Sequence, residues 1–121
     1  MAIILVVDDD QSTQLLMRRM LVPLNAEVVG ATRCDDALRL ASELVPDVIL
    51  MDILLPGSNE NGLTVAKMIR DDPRLKHIPI IIVSAANITG NLTTEHQYEA
   101  YFQKPFHVRE LLGCIGAFVR D

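Results

Sequence analysis

The stretch Ile3-Ile4-Leu5-Val6-Val7-Asp8-Asp9-Asp10 carries five apolar residues straight into three carboxylates. An apolar run of this length with no polar alternation is what a strand covered on both faces shows, and such strands belong to parallel sheets. The same kind of junction recurs three times. Val48-Ile49-Leu50-Met51 runs into Asp52, Ile80-Ile81-Ile82-Val83 into Ser84, and Tyr101-Phe102-Gln103 into Lys104-Pro105. If these runs are parallel strands, the carboxylates, the hydroxyl and the ammonium all emerge at the carboxyl edge of one sheet. That is where open α/β sheets build their sites.

Working outward, strand and helix alternate five times. Strands are expected near 3–7, 27–30, 47–51, 79–83 and 100–103, and helices near 11–22, 35–44, 62–71, 91–98 (a short one) and 107–119. The last helix has the clearest pattern, with Val108, Leu111, Leu112, Ile115 and Val119 at helical spacing. Pro23 is expected to end the first helix, because the residue before a proline avoids helical angles. Pro46 and Pro79 fall at strand starts, where a missing backbone donor is tolerated. Asp10 or Ser12 can cap the first helix, and Asp35 and Asp36 suit the positive start of the second. Short links between alternating elements imply right-handed crossovers and an α/β sheet with helices on both faces. Alternation alone does not set the strand order.

The bulk properties narrow the function classes. A chain of 121 residues, half of them hydrophobic, reads as one domain over 1–121 with a core that needs no disulfide or zinc. A net charge of −5 argues against the basic surface that nucleic-acid binding requires. The apolar runs are strand-sized, far short of the roughly 20 residues of a membrane span. Residues 1–7 have no basic leader segment, so they do not read as a signal peptide. A cytoplasmic protein follows, with Cys34 and Cys114 as buried thiols rather than a disulfide. His77, His96 and His107 lack metal-ligand spacing. Met17, Met20, Met51 and Met68 read as core filling.

The chemistry lies in the strand-end residues. Carboxylates gathered at one edge repel one another unless a cation neutralises them. Hard oxygen ligands at a partly open site suit Mg²⁺. Asp52 is the candidate nucleophile, since a carboxylate can accept a phosphoryl group as an acyl phosphate. Lys104 then serves as a fixed cation on one phosphoryl oxygen and Ser84 as a hydroxyl donor to another.

These motifs, together with Ile53, Pro56, Gly62, Ala85 and Phe106, closely resemble the receiver domain of bacterial two-component response regulators over essentially the whole chain. The resemblance implies a flavodoxin-like fold whose five-stranded parallel sheet has the order 2-1-3-4-5, with helices on both faces. It implies that Asp52 is the phosphoacceptor and that Asp8, Asp9, Asp52 and the Leu54 backbone carbonyl hold Mg²⁺. It further implies that Lys104 and Ser84 bind the phosphoryl group, that Ser84 and Tyr101 form the switch pair, and that the Lys104–Pro105 bond is cis. The implied partners are a sensor histidine kinase or phosphotransfer protein and a downstream protein. The implied activity is a stand-alone signalling switch that catalyses only its own phosphoryl transfer and slow autodephosphorylation. Because the fifth helix is expected to close at Asp121, no output domain is expected, a domain cut from a longer protein being the alternative.

Three departures from the family pattern stand out. Gly62 lies ten residues after Asp52, where the family usually has a glycine at eight, so the 57–61 loop is lengthened. The stretch from Ser84 to Lys104 is about two residues short, has Gln97-Tyr98 in place of the usual Gly-Ala, and is poor in helix formers, so 86–98 is expected to be irregular. Leu54 and Ala86 flank the site where other members carry polar residues. Two other readings compete. Asp8-Asp9-Asp10-Gln11-Ser12 also fits the Asp-x-Asp-x-Thr/Ser pattern of haloacid-dehalogenase-type phosphatases, with Asp8 as nucleophile. A binding module that has kept the fold and lost phosphorylation is the other.

Overall fold

The structure is a computed structural model that describes residues 1–55, 61–85 and 98–119. Each of the five expected strands is present: β1 (Ile3–Val7), β2 (Glu27–Ala31), β3 (Val48–Met51), β4 (Ile80–Ser84) and β5 (Ala100–Gln103). Between and after them run α1 (Gln11–Met20), α2 (Cys34–Leu44), α3 (Gly62–Asp71) and α4 (Val108–Phe118). All strand pairs are parallel, in the order β2-β1-β3-β4-β5. The continuous apolar strands β1, β3 and β4 occupy the middle of the sheet, as burial on both faces demands.

Two cores sandwich the sheet, and strand alternation divides the side chains between them. Leu5, Val7, Ile49, Met51, Ile80 and Ile82 pack with α2 and α3 through Ala37, Ala41, Val65 and Ile69. Ile4, Val6, Val48, Leu50, Ile81 and Val83 pack with α1 and α4 through Met17, Leu21, Leu111 and Ile115. Each such fully buried branched side chain contributes about 1.5–3 kcal/mol, so the central strands are the rigid floor on which the strand-end residues stand. Cys34 belongs to the first core and Cys114 packs against the second, so the sheet separates them and no disulfide joins them. Among the described residues no helix is long and apolar enough to cross a membrane.

Local signals behave largely as their chemistry dictates. Asp10 is the N-cap of α1 and accepts the Ser12 N–H. Asp35 and Asp36 fall in the first turn of α2. Pro23 departs from expectation. The α-helix ends at Met20, and the chain then winds through a 3-10 turn, Val22–Leu24, that contains the proline. In a first turn the missing proline N–H has no helical partner to lose, so winding continues. Met68 is a second correction: it is exposed, because the buried stripe of α3 runs through Gly62, Val65, Ala66 and Ile69 and leaves position 68 beside it. Cys114 is half-buried rather than buried. The helix expected near 91–98 and the loop 57–61 lie outside the described residues, apart from Tyr98 and Asn61.

Candidate functional site

Because β1 and β3 are neighbours, Asp8 and Asp52 leave the sheet side by side. The Asp52 N–H donates to the Val7 carbonyl at 2.9 Å, and the Asp8 N–H to the Ala31 carbonyl at 3.0 Å. Both carboxylates are buried, at 3% and 7% exposure, whereas Asp9 is exposed. Each of Asp8, Asp9 and Asp52 offers an oxygen lying within 4.8 Å of the others'. Asp8 Oδ1 accepts the Asp10 N–H at 2.9 Å, and Asp52 Oδ1 accepts the Leu54 N–H at 3.2 Å. The Leu54 side chain itself is exposed at the rim.

Lys104 reaches this cluster from the far side of β4. Its N–H donates to the Ser84 carbonyl at 2.8 Å, which sets the end of β5 level with the end of β4. The Lys104–Pro105 peptide is cis. The ammonium Nζ donates to Asp8 Oδ2 at 2.7 Å and to Asp52 Oδ2 at 3.4 Å. Ser84 is fully buried at the end of β4, and Tyr101, half-buried, pairs in register with Ile82 and packs on the core shared with α2 and α3.

The electrostatics of the pair are uneven. Burial pushes the Asp8 carboxyl above its ordinary value despite the Lys104 hydrogen bond, and the neighbouring Asp52 charge adds to the rise. Burial alone would lower Lys104, but the hydrogen bond and charge of Asp8, then those of Asp52, carry it above the ordinary lysine value. Lys104 therefore stays charged, yet one ammonium against three carboxylates leaves a formal charge of −2 (three minus one). Two buried carboxylates, one exposed carboxylate and access from solvent are a donor set that fits Mg²⁺.

Asp10 stands apart from the cluster. Its carboxylate accepts the Ser12 N–H at 2.9 Å and the Thr13 hydroxyl at 3.2 Å, so the second acid of the Asp-x-Asp pattern is taken up as a helix cap. His77 and His107 are exposed, and Ala86 and His96 lie outside the described residues.

Three features escaped the sequence reading. Gly62, noted only for its unusual distance from Asp52, lies directly on the backbone of the cluster. Its N–H donates to the Ile53 carbonyl at 2.9 Å, and a Cβ built on it would fall 1.9 Å from the Asp52 carbonyl oxygen. Gln14 is a buried polar side chain in phase with Met17 and Leu21, and that phase was the available signal. The third feature is a groove of about 270 Å³ beside Lys104, walled by Leu16, Met17, Pro105, Phe106 and Val108. Leu16 and Val108 are exposed apolar residues on its walls.

Comparison with known proteins agrees with this geometry. The family model for the response regulator receiver domain matches residues 4–115. The polar-differentiation response regulators DivK of Brucella anthropi and Brucella abortus are each 35% identical over 120 residues, covering 98% of this chain and 96% of theirs. Among solved structures, the receiver domain of a sensor histidine kinase from Pseudomonas aeruginosa, with a magnesium ion coordinated in its active-site cleft, has a TM-score of 0.84 at 28% identity. It covers 99% of this chain and 98% of that one. A response regulator structure from Chloroflexus aurantiacus gives 0.82 at 27% identity, with the same coverage. With the family motif matched from β1 into α4 and its strand order present, the chain belongs to the response regulator receiver domain family.

Proposed function

We propose that this single domain, 1–121, is a cytoplasmic phosphorylation switch of a two-component system. A sensor histidine kinase or a phosphotransfer protein donates a phosphoryl group to Asp52 in a Mg²⁺-dependent reaction. The modified domain then changes its affinity for a downstream protein partner. The observation that carries this reading is the Lys104 ammonium held at 2.7 Å from Asp8 and 3.4 Å from Asp52, at the junction of three strand ends.

In this reading an Asp52 carboxylate oxygen attacks phosphorus while the bond to the donor's histidine nitrogen breaks; that nitrogen keeps the bond pair and, with the other ring nitrogen already protonated, leaves as neutral imidazole, and an acyl phosphate remains on Asp52. Asp8, Asp9, Asp52 and the Leu54 carbonyl would hold Mg²⁺, which when bound would supply charge neutralisation at the phosphoryl oxygens. Lys104 transfers its hydrogen bond from Asp52 to a phosphoryl oxygen, and Ser84 donates to another. Ser84 and Tyr101 lie on paired neighbouring strands, so a shift at one is felt at the other. The groove beside Lys104 gives a protein donor an apolar wall to dock on next to the reacting group.

Intact-mass measurement after incubation with acetyl phosphate and Mg²⁺ tests the proposal. A gain of one phosphoryl group, lost in Asp52→Asn and in chelator, is expected. A gain that persists in Asp52→Asn overturns the assignment. No gain in the parent protein identifies a binding module that has lost phosphorylation.

A further inference from the structure

The Asp8–Asp9 corner is held by a side chain that belongs to neither acid. Gln14, on α1, is 8% exposed, and the two N–H groups of its amide Nε2 are shared among three backbone carbonyls within hydrogen-bond distance: Val6 at 3.1 Å, Asp8 at 3.0 Å and Ala31 at 3.1 Å. The sheet explains why this amide is needed. The β1–β2 ladder runs from the Glu27 N–H on the Ala2 carbonyl to the Asp8 N–H on the Ala31 carbonyl. The next rung would bring a β2 N–H to the Asp8 carbonyl. By then β2 has ended at Ala31, and Arg33 is already the N-cap of α2. Gln14 takes the place of that rung. The Asp8 carbonyl belongs to the rigid peptide unit joining Asp8 to Asp9, so its direction sets where the Asp9 carboxylate stands relative to Asp8.

β2 accommodates the amide through a glycine. A Cβ at Gly30 would lie 2.4 Å from Gln14 Oε1 and 3.0 Å from Gln14 Cδ, so any larger residue there forces the amide to shift from its present place among these carbonyls. Gln14 Oε1 has no hydrogen-bond partner among the described residues. The side chain is therefore held through its donors.

We propose that Gln14 is a positioning residue for Mg²⁺ binding, presetting the Asp8–Asp9 peptide, and that Gly30 is the position on β2 that permits it. This rests on the Mg²⁺ site proposed above. The test is equilibrium Mg²⁺ titration by calorimetry on the full chain, with thermal melts in chelator run alongside. The proteins compared are the parent, Gln14→Met, Gly30→Ala, the double variant, and Asp9→Asn as a metal-site control. Loss of an orienting partner behind a metal ligand weakens affinity about 10–100-fold, and Gln14→Met is expected in that range. Gly30→Ala leaves the amide's chemistry unchanged and meets only the end of a flexible side chain, so it folds even if Gln14→Met does not. It is expected to weaken Mg²⁺ in the same direction, and to add no further loss of affinity in the double variant. Lowered melting temperatures with an unchanged Mg²⁺ Kd in both single variants would mean that Gln14 is merely structural, and would overturn the inference while leaving the metal site intact. A parent that binds no Mg²⁺, or binds it no better than Asp9→Asn, overturns the metal site and this inference together.

Discussion

Replacing Gly62 with alanine should damage the domain from outside the cluster of acids. The added Cβ would sit 1.9 Å from the Asp52 carbonyl oxygen, 2.8 Å from the Asp52 carbonyl carbon and 2.9 Å from Met51 Cγ. Ordinary contact begins near 3.4 Å, so the start of α3 and the end of β3 must part by about 1.5 Å (3.4 minus 1.9). Two of the three obstacles are backbone and cannot rotate away. Overpacking of this kind costs roughly 1–3 kcal/mol. The separation also stretches the Gly62 N–H bond to the Ile53 carbonyl, worth about another 1 kcal/mol. With an unfolding entropy of about 2.1 cal/mol/K per residue, each 1 kcal/mol shifts the melting temperature of a chain this size by about 4 °C, so a total near 2–4 kcal/mol gives a fall of about 8–16 °C.

Gly113→Ala is the internal control. Gly113 lies within α4, where an added Cβ meets nothing within 4 Å. There alanine gains about 0.8–1 kcal/mol of helix propensity and should raise the melting temperature by a few degrees. Thermal melts of the two variants decide the matter, with phosphorylation of Asp52 from acetyl phosphate as the second readout. That reaction should slow in Gly62→Ala alone, because its clash falls on the peptide carrying the phosphoacceptor. If Gly62→Ala melts within 2 °C of the parent, or if both glycine variants fall equally, the close-approach reasoning is refuted.

Mg²⁺ should raise the melting temperature, by about 2.7 kcal/mol of added stability at a hundredfold excess over Kd; no shift would count against a metal site. Asp9→Asn should stabilise the metal-free protein by up to about 1 kcal/mol, the repulsion of two charges near 4 Å in a water-like medium, while weakening Mg²⁺ binding in the same titration. Asp8, held above 3.8 by burial, binds its proton more tightly in the native state than in the unfolded chain. Its contribution to stability is therefore complete below pH 3.8 and is lost as the pH rises through the native pKa. Melts in chelator across this window should show that loss in the parent and not in Asp8→Asn; matching slopes refute it. Leu54→Asn should speed loss of the phosphoryl group, because an amide at the rim can align the attacking water and Leu54 cannot. One such hydrogen bond, about 0.5–1.5 kcal/mol, corresponds to roughly two- to tenfold in rate, and intact mass against time checks it.

How far the sequence carried this reading depends on whether a feature is local. The strands were legible because burial on both faces leaves no polar alternation, and the strand-end residues were legible because each breaks such a run. The capping role of Asp10 was readable for the same reason, since a cap acts within three residues of itself. The strand order came only with the family resemblance, because alternation is compatible with several orders. Met68 shows the limit of composition: methionine fills cores, but its place beside the stripe Val65, Ala66 and Ile69 is set by where α3 meets the sheet. Gln14 and Gly62 were illegible because their partners are distant. Gln14 meets a carbonyl of the edge strand 17 residues on, and Gly62 meets the backbone of a residue ten positions back.

The two buried acids differ in how fully their oxygens are engaged, and this bears on which of them reacts. Asp8 has both oxygens in short contacts, with the Asp10 N–H at 2.9 Å and the Lys104 ammonium at 2.7 Å. Asp52 has its oxygens in longer ones, with the Leu54 N–H at 3.2 Å and Lys104 at 3.4 Å. A nucleophilic carboxylate must give up a hydrogen bond as its lone pair turns to phosphorus, so the acid with the longer bonds gives up less. Asp8, deeper and more tightly held, is better suited to stay in place as an oxygen ligand. The same geometry supports the receiver chemistry over a phosphatase that would attack through Asp8. In that scheme the nucleophile would be the acid most firmly bound to Lys104, and its sequence partner, Asp10, is already spent capping α1.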